Sequence, residues 1–395
     1  MTDAHPRRWA MLALLAAAEL LGMALWFSAG AGSAHLAALW GLDAGRTGWL
    51  TAAVQLGFVA GTALAAVLNL ADVVPARAYF AVSALAGAAA NAGLLVAPSF
   101  AAALALRFAT GAFLAGVYPP AMKMVATWFR SARGLAVGTV VGALTVGKAT
   151  PYLIAALGGF REVVVLSSSG AVVAAVLVAL AYRDGPYAFG RRPFSWRLVG
   201  TVWHHRPTRL AIGGYLGHMW ELYAMWTWMP AFLAASFAAF EARRGVELGA
   251  WAGGFGAFAT IAAGGLGCLW GGWVADRVGR PRLVNAAMAA SGGCCLAVGF
   301  AFGESPWIVT SVALVWGFFV VADSAQFSAL VTEVAPPHAV GTALTLQTSM
   351  GFLLTLATIQ LVPALVTAVG WPWAFPILAL GPAAGIASIL RLDMR

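Results

Sequence analysis

The sequence has very few charged residues: they make up 9% of its 395 residues. A soluble domain carries about 25% charged residues, so this scarcity excludes a soluble globular protein. The net charge is +9, yet the basic residues are dispersed among short segments rather than gathered in one patch. Such a distribution fits membrane topology better than a polyanionic partner, and we expect no nucleic-acid partner.

Cysteine is also scarce. Cys268, Cys294 and Cys295 all lie in apolar stretches, and their odd number and spacing form neither a disulfide framework nor a metal-ligand pattern. We interpret them as small apolar packing residues. The sequence contains no nucleotide-binding loop, no nucleophile elbow and no metal motif. It therefore predicts no metal and no cofactor, and a membrane-embedded enzyme is disfavoured.

Long apolar runs are what the sequence has in abundance. Hydrophobic residues make up 62% of it, and the mean hydropathy is +0.85. A helix needs about 20 apolar residues to cross the hydrocarbon, and these runs are long enough, which favours helices over an outer-membrane barrel. The first run, preceded by Arg7 and Arg8, could pass for a signal peptide, but its length and Glu19 in its middle favour a retained helix. The predicted fold class is an all-α membrane protein with twelve transmembrane helices at about 9–31, 48–70, 78–97, 100–122, 134–158, 163–182, 210–236, 250–274, 283–303, 307–331, 340–367 and 373–390.

The distribution of Lys and Arg predicts the orientation. With a cytoplasmic N-terminus, only four of the 23 basic residues fall in outer loops: Arg46, Arg161, Arg243 and Arg244. Cytoplasmic loops of membrane proteins carry an excess of Lys and Arg. We therefore predict a multi-pass protein of a bacterial-type inner (plasma) membrane with both termini in the cytoplasm.

The chain divides into two related halves. A basic stretch predicts a cytoplasmic linker at 184–209 between six-helix bundles at 1–183 and 210–395, with Trp196 and Trp203 at the membrane interface. Short motifs recur at nearly equal spacing: Glu19, Leu20, Met23 and Trp26 return as Glu221, Leu222, Met225 and Trp228, and residues 136–139 return as 339–342. Such repeats predict two pseudo-symmetric bundles about an axis normal to the membrane, with a cavity between them.

A hydrophilic loop, GGWVADRVGRPR at 271–282, carries the most specific motif. It resembles the loop signature of the major facilitator superfamily, G-x-L-a-D-r-x-G-r-k, with Val274 in place of the Leu. The matching positions are Gly272, Asp276, Arg277, Gly279, Arg280 and Arg282. The first-half copy, LNLADVVPARAY, keeps Asp72 and Arg77 but has Leu68 and Pro75 where the family has glycines.

The resemblance implies the superfamily fold and a gating role for both loops. RFATG at 107–111 resembles the family's fourth-helix pattern, and the sequence from 118 to 138 resembles members that handle anions and organic acids. The Gly-Pro pair of antiporters is absent from the fifth span, which weakens a drug-efflux interpretation. Gating is also one of the roles that we predict for Asp323, with helix pairing and substrate contact as alternatives.

Five ionisable residues fall within predicted spans: Glu19, Arg107, Lys148, Glu221 and Asp323. Each costs at least ~2.5 kcal/mol at a helix centre, so each should pair with a partner or face a wet cavity. A carboxyl group removed from water would suit proton transfer, and we predict that role for Glu19 and Glu221. Structural pairing with Arg107 or Lys148 is the alternative.

The two bases predict an anion site. Arg107 would grip a carboxylate or phosphate, and Lys148 would bind an anion or neutralise Glu19. His218 shares a helix face with Glu221 and would relay a proton or pack as a hydrogen-bonded residue. Three aromatic residues complete the predicted site: Trp26, Tyr152 and Trp228.

The sequence thus predicts a proton-coupled secondary active transporter that moves a small anionic or zwitterionic organic solute by alternating access. Its expected partners are the small-molecule substrate, protons and the lipid bilayer, and we expect a monomer. Proton-driven export of a hydrophobic or cationic compound is the rival within transport. A membrane sensor that uses the same fold without transport is the alternative from another class.

Overall fold

The structure is a computed structural model that describes residues 5–130, 132–187, 194–249 and 251–392. All regular secondary structure in these ranges is helical. The α-helices are α1 (Arg8–Met23), α2 (Ser28–Ala31), α3 (Ser33–Trp40), α4 (Ala44–Val67), α5 (Leu70–Val73), α6 (Ala76–Ala92), α7 (Phe100–Leu114), α8 (Tyr118–Ala126), α9 (Arg133–Leu157), α10 (Phe160–Ala181), α11 (Val199–His204), α12 (Arg206–Arg244), α13 (Trp251–Val278), α14 (Arg280–Ala297), α15 (Pro306–Ala322), α16 (Ser324–Val334), α17 (Val340–Val369), α18 (Trp371–Ala374) and α19 (Leu380–Leu390). The 3-10 segments are Gly93–Val96, Trp196–Leu198, Val298–Ala301, Pro337–Ala339 and Pro376–Ala379.

Within the described residues, 11 helical segments are long and apolar enough to cross a membrane, so this is an integral, multi-pass membrane protein. They match the second to the twelfth predicted spans. The first predicted span, 9–31, is not one helix, because α1 ends at Met23 and α2 begins only at Ser28. The turn between them carries Trp26.

The two halves repeat their irregularities as well as their helices. The third span ends in the 3-10 segment Gly93–Val96, and the ninth ends in Val298–Ala301. The fourth span is divided into α7 and α8, and the tenth is divided into α15 and α16 at Asp323. The first and seventh spans differ: α12 is one continuous helix of 39 residues, whereas its counterpart is broken after α1.

Helix contacts follow the same repeat. Helix α1 packs on α9 and α10, as α12 packs on α17 and α19. The α4–α7 contact corresponds to the α13–α15 contact, and the two halves meet where α9 packs on α13 and α4 packs on α17. Glycine allows the closest of these approaches: a Cβ atom at Gly317 would collide with the Thr260 carbonyl, and one at Gly142 would lie 2.8 Å from the Gly265 carbonyl oxygen. Small residues of this kind are how membrane helices approach closely.

The predicted linker 184–209 is described only in part, because residues 188–193, with Arg191 and Arg192, lie outside the described ranges. Its α11 packs on α12 and α17, and the Ser195 amide donates a 3.0 Å hydrogen bond to Thr342 Oγ1. Trp196 and Trp203 remain 73% and 51% exposed. Exposed tryptophans beside basic residues are typical of a membrane interface.

Candidate functional site

Arg107 in α7 is completely buried and is held by neutral acceptors. Its guanidinium donates to the backbone carbonyls of Leu25, Trp26 and Leu50, to Ser28 Oγ and to Asn91 Oδ1. The Leu25 bond is 3.0 Å long and the Asn91 bond is also 3.0 Å. Backbone carbonyls at a helix break lack their usual partners, and hydrocarbon offers none, so Arg107 supplies the missing donors.

A small polar network extends this contact. Asn91 in α6 also donates to Ser168 Oγ in α10 at 3.0 Å, and Ser28 at the start of α2 contacts Asn91. Arg107 therefore connects the α1–α2 break to three other helices of its half. Arg107 thus fixes the backbone at Trp26 through hydrogen bonds to neutral oxygen atoms.

Aromatic rings from both halves meet in the centre of the molecule. This central aromatic cluster consists of Trp26, Phe27, Phe58, Tyr152, Tyr223, Trp226 and Phe352, all of them buried. The first four precede the linker and the last three follow it. Ring centroids of Phe58 and Phe352 lie 4.6 Å apart, and those of Trp26 and Tyr223 lie 5.7 Å apart. The cluster is thus one of the contacts between the halves.

Lys148 of α9 directs its ammonium group into the central aromatic cluster. Its Nζ atom donates a 2.6 Å hydrogen bond to Tyr223 Oη and lies 4.0 Å from the Trp26 ring centroid. The Tyr223 and Trp226 ring centroids are 4.9 and 5.3 Å away. No carboxylate of the described residues lies within ion-pair distance of Nζ. Aromatic faces stabilise a cation by their quadrupole, which lets the ammonium stay buried without a salt bridge.

Glu19 of α1 is completely buried, and neither carboxyl oxygen has a hydrogen-bond partner among the described residues. It interacts electrostatically with Lys148. Helices α1 and α9 cross closely beside both residues, because Gly147 packs directly on the Leu20 carbonyl. An unpartnered carboxyl group in the interior costs free energy, so its presence needs an explanation.

Glu221 of α12, the residue that repeats Glu19, has a different environment. Trp316 Nε1 donates to Oε1 at 2.5 Å, Cys295 Sγ lies 3.1 Å from the same oxygen, and Ser291 Oγ donates to Oε2 at 2.9 Å. These donors come from α14 and α15. Our interpretation of Cys295 as an apolar packing residue was therefore incomplete, since its thiol donates to a carboxyl group.

His218 and Asp323 form a second ionisable pair. His218 Nδ1 lies 3.0 Å from Asp323 Oδ1, and both side chains are 2% exposed. His218 Nε2 has no hydrogen-bond partner in the described part of the chain. Asp323 lies between α15 and α16, so this pair joins α12 to the break in the tenth span.

The remaining predicted aromatic residues separate in the structure. Tyr152 packs against Phe27 with ring centroids 6.0 Å apart, so it belongs to the central aromatic cluster. Trp228 donates from Nε1 to the Ile359 carbonyl at 2.8 Å and packs beside Gly48. Trp26 and Trp228 repeat in sequence, but only Trp26 contacts Lys148.

The second-half loop contacts the first half. The Asp276 carboxylate lies beside Gly134 in the first turn of α9, where a helix N-terminus favours negative charge. Gly272 packs on the Gly134 carbonyl, and Gly279 has the positive φ of 86° that the turn requires. Arg280 binds Glu333 at the end of α16 at 2.5 Å, whereas Arg277 stacks on the Trp273 ring of its own helix.

The first-half loop forms a different local structure. Asp72 lies in the short helix α5, and its side chain is outside the described part of the structure. Asn69 before α5 has a φ of 50°, and Pro75 precedes α6 in an extended conformation. Arg77 in the first turn of α6 is exposed.

Several residues of these networks were missing from the prediction. They are Ser28, Asn91, Ser168, Ser291, Cys295 and Trp316. A lone Asn in an apolar run was a usable signal, because a buried amide needs partners. Among the described residues, no group of three or more His, Cys, Asp or Glu side chains is arranged to hold a metal ion.

The fold and the site define the class of this protein: it is an all-helical polytopic membrane protein with ionisable side chains in its interior. The chain belongs to the Major Facilitator Superfamily, whose sequence pattern matches residues 12–359. This family consists of secondary transporters, which at the family level indicates a transporter rather than an enzyme. Comparison with curated proteins found no match.

Proposed function

We propose that the protein is a proton-coupled symporter that moves a small anionic or zwitterionic organic solute across the membrane by alternating access. Lys148 supplies the positive charge that holds the solute, and Glu19 carries the proton. The coupling follows from their electrostatic interaction: an anion at Lys148 changes the field at Glu19, and a proton on Glu19 changes the field at Lys148.

One observation carries this proposal: Glu19 and Lys148 are buried ionisable groups on the closely packed helices α1 and α9, and neither has an ionic partner among the described residues. Glu19 has no hydrogen-bond donor and Lys148 has only a phenol and aromatic rings, within the described residues. The two groups of a structural ion pair normally contact each other directly, because an unpaired buried charge is costly. Groups that are left open in this way are suited to exchange partners during a transport cycle.

At the level of architecture, we propose twelve spans in two six-helix bundles, with the broken segment α1–α2 as the first span. The paired helix contacts and the repeated breaks in the fourth and tenth spans support this arrangement. The halves rock about the central aromatic cluster, and the loops of Asp72 and Asp276 gate the cytoplasmic side. Both termini face the cytoplasm of a bacterial-type inner membrane, and the protein acts as a monomer.

The experiment is solute flux into proteoliposomes that contain the purified protein. An inward proton gradient should drive accumulation of a labelled solute found by screening small organic acids and zwitterions, and a protonophore should abolish it. Absence of proton-linked flux for every solute that binds would reject the proposal and favour a sensor.

Export of a hydrophobic or cationic compound is the second candidate. The central aromatic cluster and the open Glu19 carboxyl group favour it, because aromatic faces and a carboxylate bind cations. The buried Lys148 ammonium opposes it by repulsion. Flux assays that measure the movement of a lipophilic cation in each direction across the membrane separate the two candidates.

A further inference from the structure

The indole N–H groups of the buried tryptophans fall into two sets. Trp128, Trp228 and Trp316 each donate to a carbonyl or carboxyl oxygen at 3.0, 2.8 and 2.5 Å. The Nε1 atoms of Trp26 and Trp226 are also buried, but they have no acceptor among the described residues. A buried donor without an acceptor costs about 1–3 kcal/mol, so two such donors in one place need an explanation.

The same ammonium group lies over the ring faces of both unpartnered indoles, whose N–H groups extend from the ring edges beside it. Lys148 Nζ lies 4.0 Å from the Trp26 ring centroid and 5.3 Å from the Trp226 ring centroid. The ammonium has three N–H bonds, and Tyr223 Oη is the acceptor that it has in the structure. The N–H groups of Lys148, Trp26 and Trp226 therefore outnumber the acceptors that the described residues offer them. Such a surplus of donors is typical of a site that binds an oxyanion.

When Glu19 carries its proton, the positive charge available at this position is one, that of Lys148. Arg107, the other buried cation of the first half, donates to carbonyls, a hydroxyl and an amide oxygen. A second negative charge on a ligand would therefore lack a counter-charge in a medium of low dielectric constant. The site suits one singly charged group with two or three oxygens.

We infer that the transported ligand carries a single oxyanion group, a carboxylate or a free inorganic oxyanion of the same charge, bound by Lys148 Nζ and the indole N–H groups of Trp26 and Trp226 in place of the Tyr223 hydroxyl. This inference rests on the proposed function and specifies the ligand class for the same site. Because Tyr223 belongs to the second half and Lys148 to the first, binding of the anion breaks a hydrogen bond between the halves.

The test is isothermal titration calorimetry of the purified full-length protein in detergent with acetate, benzoate, nitrate and succinate. We expect a singly charged anion to bind, and succinate to bind at least about tenfold more weakly, since a tenfold change equals 1.4 kcal/mol. Binding of the carboxylates alone assigns an organic acid, and binding of nitrate alone assigns an inorganic oxyanion. Succinate binding as tightly as the singly charged anions overturns the inference.

Three variants locate the site. Lys148→Met removes the charge and keeps the length, and it should abolish binding of the anion. Tyr223→Phe keeps the ring and frees the ammonium, so it should tighten binding roughly two- to tenfold, the equivalent of one net hydrogen bond. Tyr215→Phe, on the same helix but packed against His218 and Phe327, is the control and should bind as the wild type does.

The outcomes separate this inference from the proposed function. Unchanged binding in Lys148→Met, or unchanged or weaker binding in Tyr223→Phe, overturns the assignment of the site. If no singly charged anion binds while a cation moves with protons in liposomes, the inference fails and proton-coupled transport stands. If anions bind as expected but no solute moves, the site is correct and the transport proposal fails.

Discussion

At the scale of single residues, Glu19 and Glu221 show how one residue type can lie in two different environments. Both are buried acids on the first helix of a repeat. Glu221 receives three hydrogen bonds from neighbouring helices, whereas Glu19 receives none from the described residues. A carboxyl group with several fixed donors is part of the packing, and one without donors is available to a mobile partner.

We predict that the two isosteric substitutions differ in their effect on stability. Glu221→Gln replaces one carboxyl oxygen by an NH₂ group, so it loses either the Ser291 bond to Oε2 or the Trp316 and Cys295 bonds to Oε1, and it should lower the free energy of unfolding by about 1–3 kcal/mol. Glu19→Gln loses no hydrogen bond and should change it by less than about 0.5 kcal/mol. Unfolding of the detergent-solubilised variants measures the difference. Equal destabilisation by both would contradict this assignment.

The sequence could locate these acids but not their partners. A Glu in a run of apolar residues is conspicuous because its burial is costly. The donors to Glu221 lie on α14 and α15. The sequence of an apolar helix does not indicate which side chains of distant helices it will contact. The repeat even predicted that both acids would be equivalent, and only tertiary packing separates them.

At the scale of elements, the break between α1 and α2 is the feature that shapes the site. Four residues leave the helix, which turns Trp26 toward Lys148 and exposes carbonyls that Arg107 then binds. Charge and hydropathy predicted an uninterrupted span, since the residues at the break are apolar and contain neither Gly nor Pro. The missing information was the partner, Arg107, which lies in another helix.

We predict that Arg107 holds this break closed. Arg107→Met removes its donors and should speed hydrogen–deuterium exchange of the amides at 24–28 at least about tenfold, as expected for a local loss of 1.4 kcal/mol. Arg46→Met, at an exposed position of α4, is the control and should leave this exchange unchanged. Slow exchange at 24–28 in Arg107→Met would show that other contacts maintain the break.

We also predict that Arg107→Ala abolishes solute flux while the protein remains folded, because Trp26 would shift.

At the scale of the whole molecule, the two halves meet along α9 with α13 and α4 with α17, and through the central aromatic cluster. The repeated motifs predicted which helices would correspond. They did not predict that rings from both halves would occupy the centre, because aromatic residues are common throughout such spans. Alternating access requires that these contacts separate on one side at a time.

A disulfide between the halves should therefore stop transport. A Cβ atom at Gly254 in α13 would lie 3.0 Å from the Ala156 Cβ in α9, close to the separation in disulfides of about 3.5–4.5 Å. The variant Ala156→Cys with Gly254→Cys should lose flux on oxidation and regain it on reduction. The two single variants are the controls and should not respond. Full flux in the oxidised, cross-linked variant would rule out movement between α9 and α13.

The central claim is that Glu19 carries the proton and that Lys148 binds the charged group of the solute. It is tested most directly by measuring Glu19→Gln in proteoliposomes in two ways: accumulation driven by a proton gradient, and exchange of labelled for unlabelled solute without a gradient. We predict that accumulation is lost while exchange continues, with Glu247→Gln, at an exposed position between α12 and α13, behaving as wild type. Accumulation at the wild-type rate in Glu19→Gln would contradict the claim.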